Sequence, residues 1–500
     1  MSAQLETYRV AAKQLKKQFA AGDPQAVARV AAIMLDQSVP KHADFLHIIA
    51  REAGHPSWPR LKFALEAAEM DRDQRAERLK MALYFGQKWV VRDMLAADPD
   101  LTNHNLGLQI ATYDLKAVKT ALRNPDKATK AIGPRSPILH LAFSLYIHMA
   151  PEKLPDMLEI ARLLVEAGAD VNDGYIAEAG TDHKLSALYG ALGHARNLVL
   201  AEWLLDHGAD PNDNESLYHS TELDDTRGLE LVLRHGAKPE GTNALARALD
   251  FNDIAKVRLL LDYGANPQEG ADGHPSGQQM IQIPALHQAA RRYCSAEIAQ
   301  LLLDHGADGG RIWQDHTAYA LARIFGNGRV AETLAQNGHA HPLSNSEQQL
   351  ADCADGHTPT SRIDTAGLTR EDQRLLTRLA TYPGRLRHLE LLVLCGLEPN
   401  HSDEMGLPPL HIAVWEGNPE YTEYFLSLGP DLTRKNAYGG DALGTVLHGA
   451  EQSPNRATRD HLACTRLLLE AGAELRPEHI KNCGVEDLAT FLEDWRASDI

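Results

Sequence analysis

Apolar residues recur along this 500-residue chain at helical spacing, three and four apart, and each Leu-rich stretch runs into a glycine. In Leu163-Leu164-Val165-Glu166-Ala167-Gly168-Ala169-Asp170-Val171-Asn172 the pattern predicts a helix that stops where glycine takes the left-handed conformation. Asp170 and Asn172 then suit the turn that leaves it. The phrase returns as Leu204-Leu205-Asp206-His207-Gly208-Ala209-Asp210-Pro211-Asn212, as Leu259-Leu260-Leu261-Asp262-Tyr263-Gly264-Ala265-Asn266-Pro267 and as Leu301-Leu302-Leu303-Asp304-His305-Gly306-Ala307-Asp308. Gly168, Gly208, Gly236, Gly264, Gly306, Gly338, Gly396, Gly429 and Gly472 hold the same place, at intervals of 40, 28, 28, 42, 32, 58, 33 and 43 residues. A unit of about thirty residues with insertions of varied length predicts stacked helix pairs, each leaning on its neighbours.

Upstream of the glycine a second phrase opens the preceding helix. Ser136-Pro137-Ile138-Leu139-His140-Leu141-Ala142 sets a capping hydroxyl before a proline at the first helical position, where the missing N–H costs nothing. Pro284-Ala285-Leu286-His287-Gln288-Ala289-Ala290 and Pro408-Pro409-Leu410-His411-Ile412-Ala413 are variants of it. Together these phrases resemble the ankyrin repeat, whose consensus runs Thr-Pro-Leu-His-x-Ala-Ala, a turn, Leu-Leu-Leu and Gly-Ala-Asp-x-Asn. The resemblance implies an all-α ankyrin-repeat solenoid of about nine to eleven helix pairs with helical caps at both ends, loops projecting as fingers, and a concave face built from the first helices.

Residues 1–70 read as a separate helical capping module, with helices at Lys13 to Phe19 and Pro24 to Leu35 around the break Ala21-Gly22-Asp23-Pro24. Its segment Ala50-Arg51-Glu52-Ala53-Gly54-His55-Pro56-Ser57-Trp58-Pro59 resembles a leader found ahead of bacterial ankyrin-repeat proteins. Trp58 reads as the plug that closes the first end of the stack, with stacking on a ligand as the alternative. The main array spans 77–341, its first two repeats degenerate. Residues 342–372, rich in Ser, Thr, Asp and Gly, break the rhythm as a hinge or insertion, and 373–500 form a second repeat segment whose amphipathic Val485 to Trp495 caps the far end.

Composition narrows the function. Aromatics are only 6 % of the chain, as thin helix pairs packed through small residues require. No run of 18 apolar residues appears and the first nine residues hold no apolar signal core, so the expectation is a cytoplasmic protein away from membranes. The odd, scattered Cys294, Cys353, Cys395, Cys464 and Cys483 read as free thiols. Residues 1–92 carry 15 Lys plus Arg against 10 Asp plus Glu, a balance of +5, which leaves −23 on the other 408 residues of a chain whose net charge is −18. Such an array repels phosphate backbones, argues against nucleic acid, and leaves a basic protein surface as one kind of partner.

The sequence offers no metal helix, nucleophile turn, phosphate loop or dinucleotide fingerprint, so neither enzyme activity nor a cofactor is expected. Among 24 histidines, His140, His287 and His411 fall in the repeat's structural slot, and His207, His235 and His305 precede the turn glycine, where a donor suits a helix C-terminus. His339-Ala340-His341 has no acidic or thiol partner at ligand spacing, and Asp170-Val171-Asn172-Asp173-Gly174 lacks the glycine and glutamate positions of a calcium loop.

What remains is a surface for docking. Aligned on the repeat, Arg247, Asp250, Gln288, Arg291, Arg292, Trp415 and Glu416 fall at variable first-helix positions, while Trp313, Asp315, His316, Lys435, Asn436 and Tyr438 fall on fingers. Trp, Tyr and Arg are the residue types that dominate interface energetics. Two fingers, Asn172 to Lys184 and Gln268 to Gln278, exceed what the repeat needs. The leading expectation is a non-catalytic protein–protein interaction scaffold. An acidic inhibitor or immunity protein that occludes a basic partner is the alternative, and an enzyme seated in residues 1–70 or 342–372 is the third.

Overall fold

All nine turn glycines lie at positive φ, from +70° at Gly429 to +121° at Gly396. At eight of them an added Cβ would meet nothing within 4 Å. Backbone conformation rather than crowding therefore selects glycine there. The computed structural model describes residues 3–34, 40, 42–177, 180, 183–268, 283–403 and 405–498. The finger read from Gln268 to Gln278 lies, beyond Gln268, outside the described residues. The fold is all-α with two short hairpins, and the chain divides into two units.

The middle unit comprises Met70–Arg323 and Asn327–Pro342. Its helices come in pairs, beginning with Arg72–Tyr84 and Lys88–Ala97, then Leu106–Ala111 and Leu115–Ala121. Later pairs include Pro137–Ala142 with Leu154–Glu166, Ala244–Asp250 with Ile254–Asp262, and Ala285–Arg291 with Ala296–Asp304. First helices pack on first helices: Ala244–Asp250 touches both Ser216–Ser220 and Ala285–Arg291. Second helices do the same, Ile254–Asp262 against Ala296–Asp304 and that helix against Gly328–Gln336. Leu164, Leu260 and Leu302 are fully buried between these rows, and Ala161, Ala201 and Ala299 let the helices approach.

Polar side chains fix the spacing of successive turns. Asn172 Nδ2 donates to Gly208 O (3.1 Å) while its Oδ1 accepts from Asp210 N (2.7 Å), and Asn212 repeats both bonds to Gly236 O and Lys238 N. His207, His235 and His305 each place Nδ1 2.7–2.9 Å from the carbonyl one helical turn back, and His235 and His305 reach Asp206 and Asp262 of neighbouring pairs with Nε2. The hairpins are fingers: Gly174–Ile176 pairs with Lys184–Ser186, and Ile312–Trp313 with His316–Thr317. Gln314 (φ 46°) and Asp315 (φ 65°) form the two-residue loop of the second, with both residues left-handed as a type I′ turn demands.

The other unit comprises Met1–Glu69, Ile324–Gly326 and Leu343–Ile500. Helices Ala3–Ala20, Pro24–Ile33, His42–Glu52 and Trp58–Glu69 enclose a core of Leu5, Leu15, Val30, Phe45, Ile48, Trp58 and Leu61. Trp58 is buried inside that module's own core. Helix His42–Glu52 also packs on the C-terminal helix Glu486–Ser498, which sequence reading set only at the far end of the repeats. Repeat pairs follow as Leu375–Leu379 with Leu386–Cys395, Pro409–Trp415 with Pro419–Ser427, and Ala442–Gln452 with His461–Glu470. The polar passage expected to break the rhythm contains a helix, Asn345–Ala354, which packs on Leu386–Cys395. A capping box starts it, Ser344 Oγ accepting from Glu347 N and Glu347 Oε2 from Ser344 N. None of the five cysteines is in a disulfide.

Candidate interaction face

In the middle unit, first-helix residues form one polar network. Glu215 and Glu222 sit four residues before and three after His219, so helical spacing brings both carboxylates to its ring at 3.0 and 2.8 Å. Burial opposes charge on His219, but hydrogen bonds to Glu215 and Glu222 outweigh it and lift the imidazole to about 9. Arg247 donates Nε and Nη2 to Glu222 Oε1 (3.0 and 2.7 Å) and stands 3.5 Å from Asp250. Asp250 in turn accepts from Gln288 Nε2 (2.5 Å) and pairs with Arg292 (2.8 Å). Arg291 donates to Gln288 Oε1 (2.8 Å), with its guanidinium 5.9 Å from the Trp313 ring.

Burial sorts the residues that sequence reading put on this surface. Gln288, Arg291 and His316 are buried, as is Glu416 in the other unit, so they spend their polar atoms inside the protein. His316 offers its backbone carbonyl to His287 Nε2 at 3.0 Å, and Glu416 Oε2 accepts from Asn455. Alignment gave their positions but not the neighbours that cover them. Arg247, Asp250, Arg292 and Trp313 are half-buried, and Asp315 is exposed.

Sequence reading passed over Glu215, His219 and Glu222, although their spacing was the signal. It also passed over an aromatic cluster. The Arg135 guanidinium lies 4.4, 4.8 and 4.6 Å from the ring centres of Tyr84, Phe143 and Tyr175, and its Nη2 donates to Tyr175 Oη (2.9 Å). Burial pushes the Tyr84 hydroxyl up to about 12. No local pattern joins positions so far apart in sequence.

The other unit brings Trp415 and Tyr438 together. With Leu407, Ile412, Asn436, Gly440, Gly444, Thr445 and His448 they line an open groove of about 640 Å³. The Trp415 and His448 rings are 5.2 Å apart. Tyr438 is 78 % exposed, and Lys435 stands exposed on the same finger. Asn436 shapes that finger: its Oδ1 accepts from the Tyr438 and Gly440 amides (3.0 and 3.1 Å), and its Nδ2 donates to Thr445 Oγ1 (3.2 Å).

The structural histidines are buried and neutral. Desolvation lowers His140, His287 and His411 to about 4 each. His339 lies over Gly309. Among the described residues one group has metal-ligand proximity, Asp352, Asp355 and His357 within 4.8 Å of one another, and Asp352 Oδ1 also accepts from Gln348 (2.7 Å).

Paired helices, left-handed turn glycines and a buried histidine in the first helix recur along the chain, with His140 and His287 each bonded to a backbone carbonyl. The family model for the ankyrin repeat matches residues 283–310 and 405–437. Those two stretches are ankyrin repeats. Over 60 residues the chain is 40 % identical to protein phosphatase 1 regulatory subunit 27 of Homo sapiens and, equally, of Mus musculus, covering 12 % of this chain and 39 % of each relative. Over 112 residues it is 34 % identical to ankyrin repeat and SOCS box protein 16 of Homo sapiens, 22 % of this chain and 24 % of that protein. The chain thus spans well under half the length of these relatives. The first matched repeat carries Gln288, Arg291 and Arg292, and the second carries Trp415, Glu416 and Lys435. No helix among the described residues is long and apolar enough to cross a membrane.

Proposed function

We propose that this protein is a non-catalytic scaffold that binds another protein through its first-helix face and finger loops. The observation that carries the reading is the Trp415/Tyr438 groove, where large rings from a first helix and a finger stand together and open to solvent within an ankyrin segment. Half-buried Arg247, Arg292 and Trp313 give the middle unit a second contact area, preorganised by its own ion pairs. The relative named as a phosphatase regulatory subunit is in keeping with a binding role. We place the chain in a reducing, cytoplasmic setting, which suits five unpaired thiols. Residues 1–70 act as the leader module of the bacterial type, and residues 342–372 as an insertion.

The −23 balance of residues 93–500 favours a second reading, an acidic protein that occludes a basic partner. The carboxylates of the first-helix network are already paired with Arg247, Arg292 and His219, which leaves that attraction to the wider surface. Affinity falling steeply with salt would favour it over the neutral groove.

Affinity capture with the full chain tests the main reading. A bait carrying Arg292→Ala and Trp313→Ala, with helix content and melting unchanged, is expected to recover much less of the partner than the parent bait. Equal recovery would refute the face assignment.

A further inference from the structure

The groove in the Leu343–Ile500 segment sets aromatic faces beside a side chain that can only donate, Trp415 Nε1, and that combination points to an occupant. Among the described residues, Trp415 Nε1, Tyr438 Oη and the His448 imidazole have no hydrogen-bond partner. Tyr438 Oη and one His448 nitrogen can also accept, whereas the amide and hydroxyl acceptors beside them are spent. Asn436 Oδ1 holds two backbone amides, and Thr445 Oγ1 takes Asn436 Nδ2 while donating to Asp441 O. Among the described residues that line it, none is Asp, Glu, Lys or Arg. Leu407 and Ile412 supply aliphatic wall, and Gly440 and Gly444 leave the floor without side chains, so a backbone can come close.

A helix would bring no free carbonyls along its length for Trp415 Nε1, and an added strand would bring a row of N–H groups to a groove whose free side-chain acceptors are Tyr438 Oη and one His448 nitrogen. A proline-rich segment brings carbonyls without N–H groups, flat pyrrolidine faces that pack on aromatic rings, and a conformation already fixed before binding. We propose that this groove binds a proline-rich segment of the partner protein in the polyproline II conformation. Its rings lie against Trp415 and Tyr438, and its carbonyls accept from Trp415 Nε1 and Tyr438 Oη. This rests on the scaffold reading and adds the partner's local chemistry to it.

The probe is a fluorescent, N-acetylated and C-amidated peptide alternating two prolines with one leucine over ten residues, titrated into the full chain by anisotropy. An amphipathic helical peptide of equal leucine content serves as control. Saturable binding of the proline peptide alone is expected. Tyr438→Ala, at a position too exposed to unfold the chain, is expected to weaken it about tenfold, as removal of an interface anchor does. Trp415→Phe keeps a ring and loses the donor, so a smaller but measurable loss is expected. Absence of saturation, equal affinity in Tyr438→Ala, or tighter binding of the helical peptide would each overturn the proposal. Partner capture that depends on Arg292 and Trp313 while the proline peptide fails to bind would sink this inference alone. Peptide binding without any captured partner would sink the scaffold reading and leave the groove.

Discussion

Glycine at the repeat turn can be separated from glycine held by crowding. At Gly208 an added Cβ meets open space, so replacing it with alanine costs only the left-handed backbone, about 1–2 kcal/mol. Urea unfolding of Gly208→Ala should show that loss, and Gly208→Asn a smaller one, since asparagine tolerates the conformation. Gly449 differs, because its Cβ would lie 2.4 Å from the Trp415 carbonyl oxygen, an atom that cannot move aside cheaply. Gly449→Ala is expected to cost more than Gly208→Ala in the same assay. The turn glycines and the buried histidine slot were readable from sequence because each repeats with its neighbours. Gln288 and Arg291 were not, because an alignment reports a position on a helix and not what lies over it.

Helices and hairpins carry their own start signals, and one of these was overlooked. The spacing Ser344-x-x-Glu347 announces a helix inside a passage whose composition reads as loop. Ser344→Ala removes the cap on Asn345–Ala354 and should cost about 1 kcal/mol, measured by urea unfolding. The finger Ile312–Thr317 turns through Gln314 and Asp315 at positive φ, which neither residue prefers. Replacing that pair with Asn-Gly should raise stability by about 0.5–1 kcal/mol and leave the Trp313–His316 pairing intact, which Trp313 fluorescence can follow.

Across the whole molecule, opposed histidines set a pH window for stability. His140, His287 and His411 are held near 4, below their ordinary 6.5, so their contribution is present above 6.5 and disappears as pH falls toward 4. Each is worth about 2–3 kcal/mol between neutral pH and pH 4.5. His219, lifted to about 9, acts the other way: its contribution is complete below 6.5 and vanishes as pH rises through 9. Urea midpoints should therefore peak near neutrality and drop on both sides, with His219→Gln flattening only the alkaline limb. Which distant segments meet was beyond the sequence, since periodicity describes neighbours and the partner of helix His42–Glu52 is encoded more than four hundred residues later.

That last contact governs the order of events during synthesis. A ribosome adding roughly 5–20 residues per second needs roughly 20–90 s to travel from Glu52 to Glu486. Throughout that interval the side of helix His42–Glu52 that meets Glu486–Ser498 goes without its closing helix.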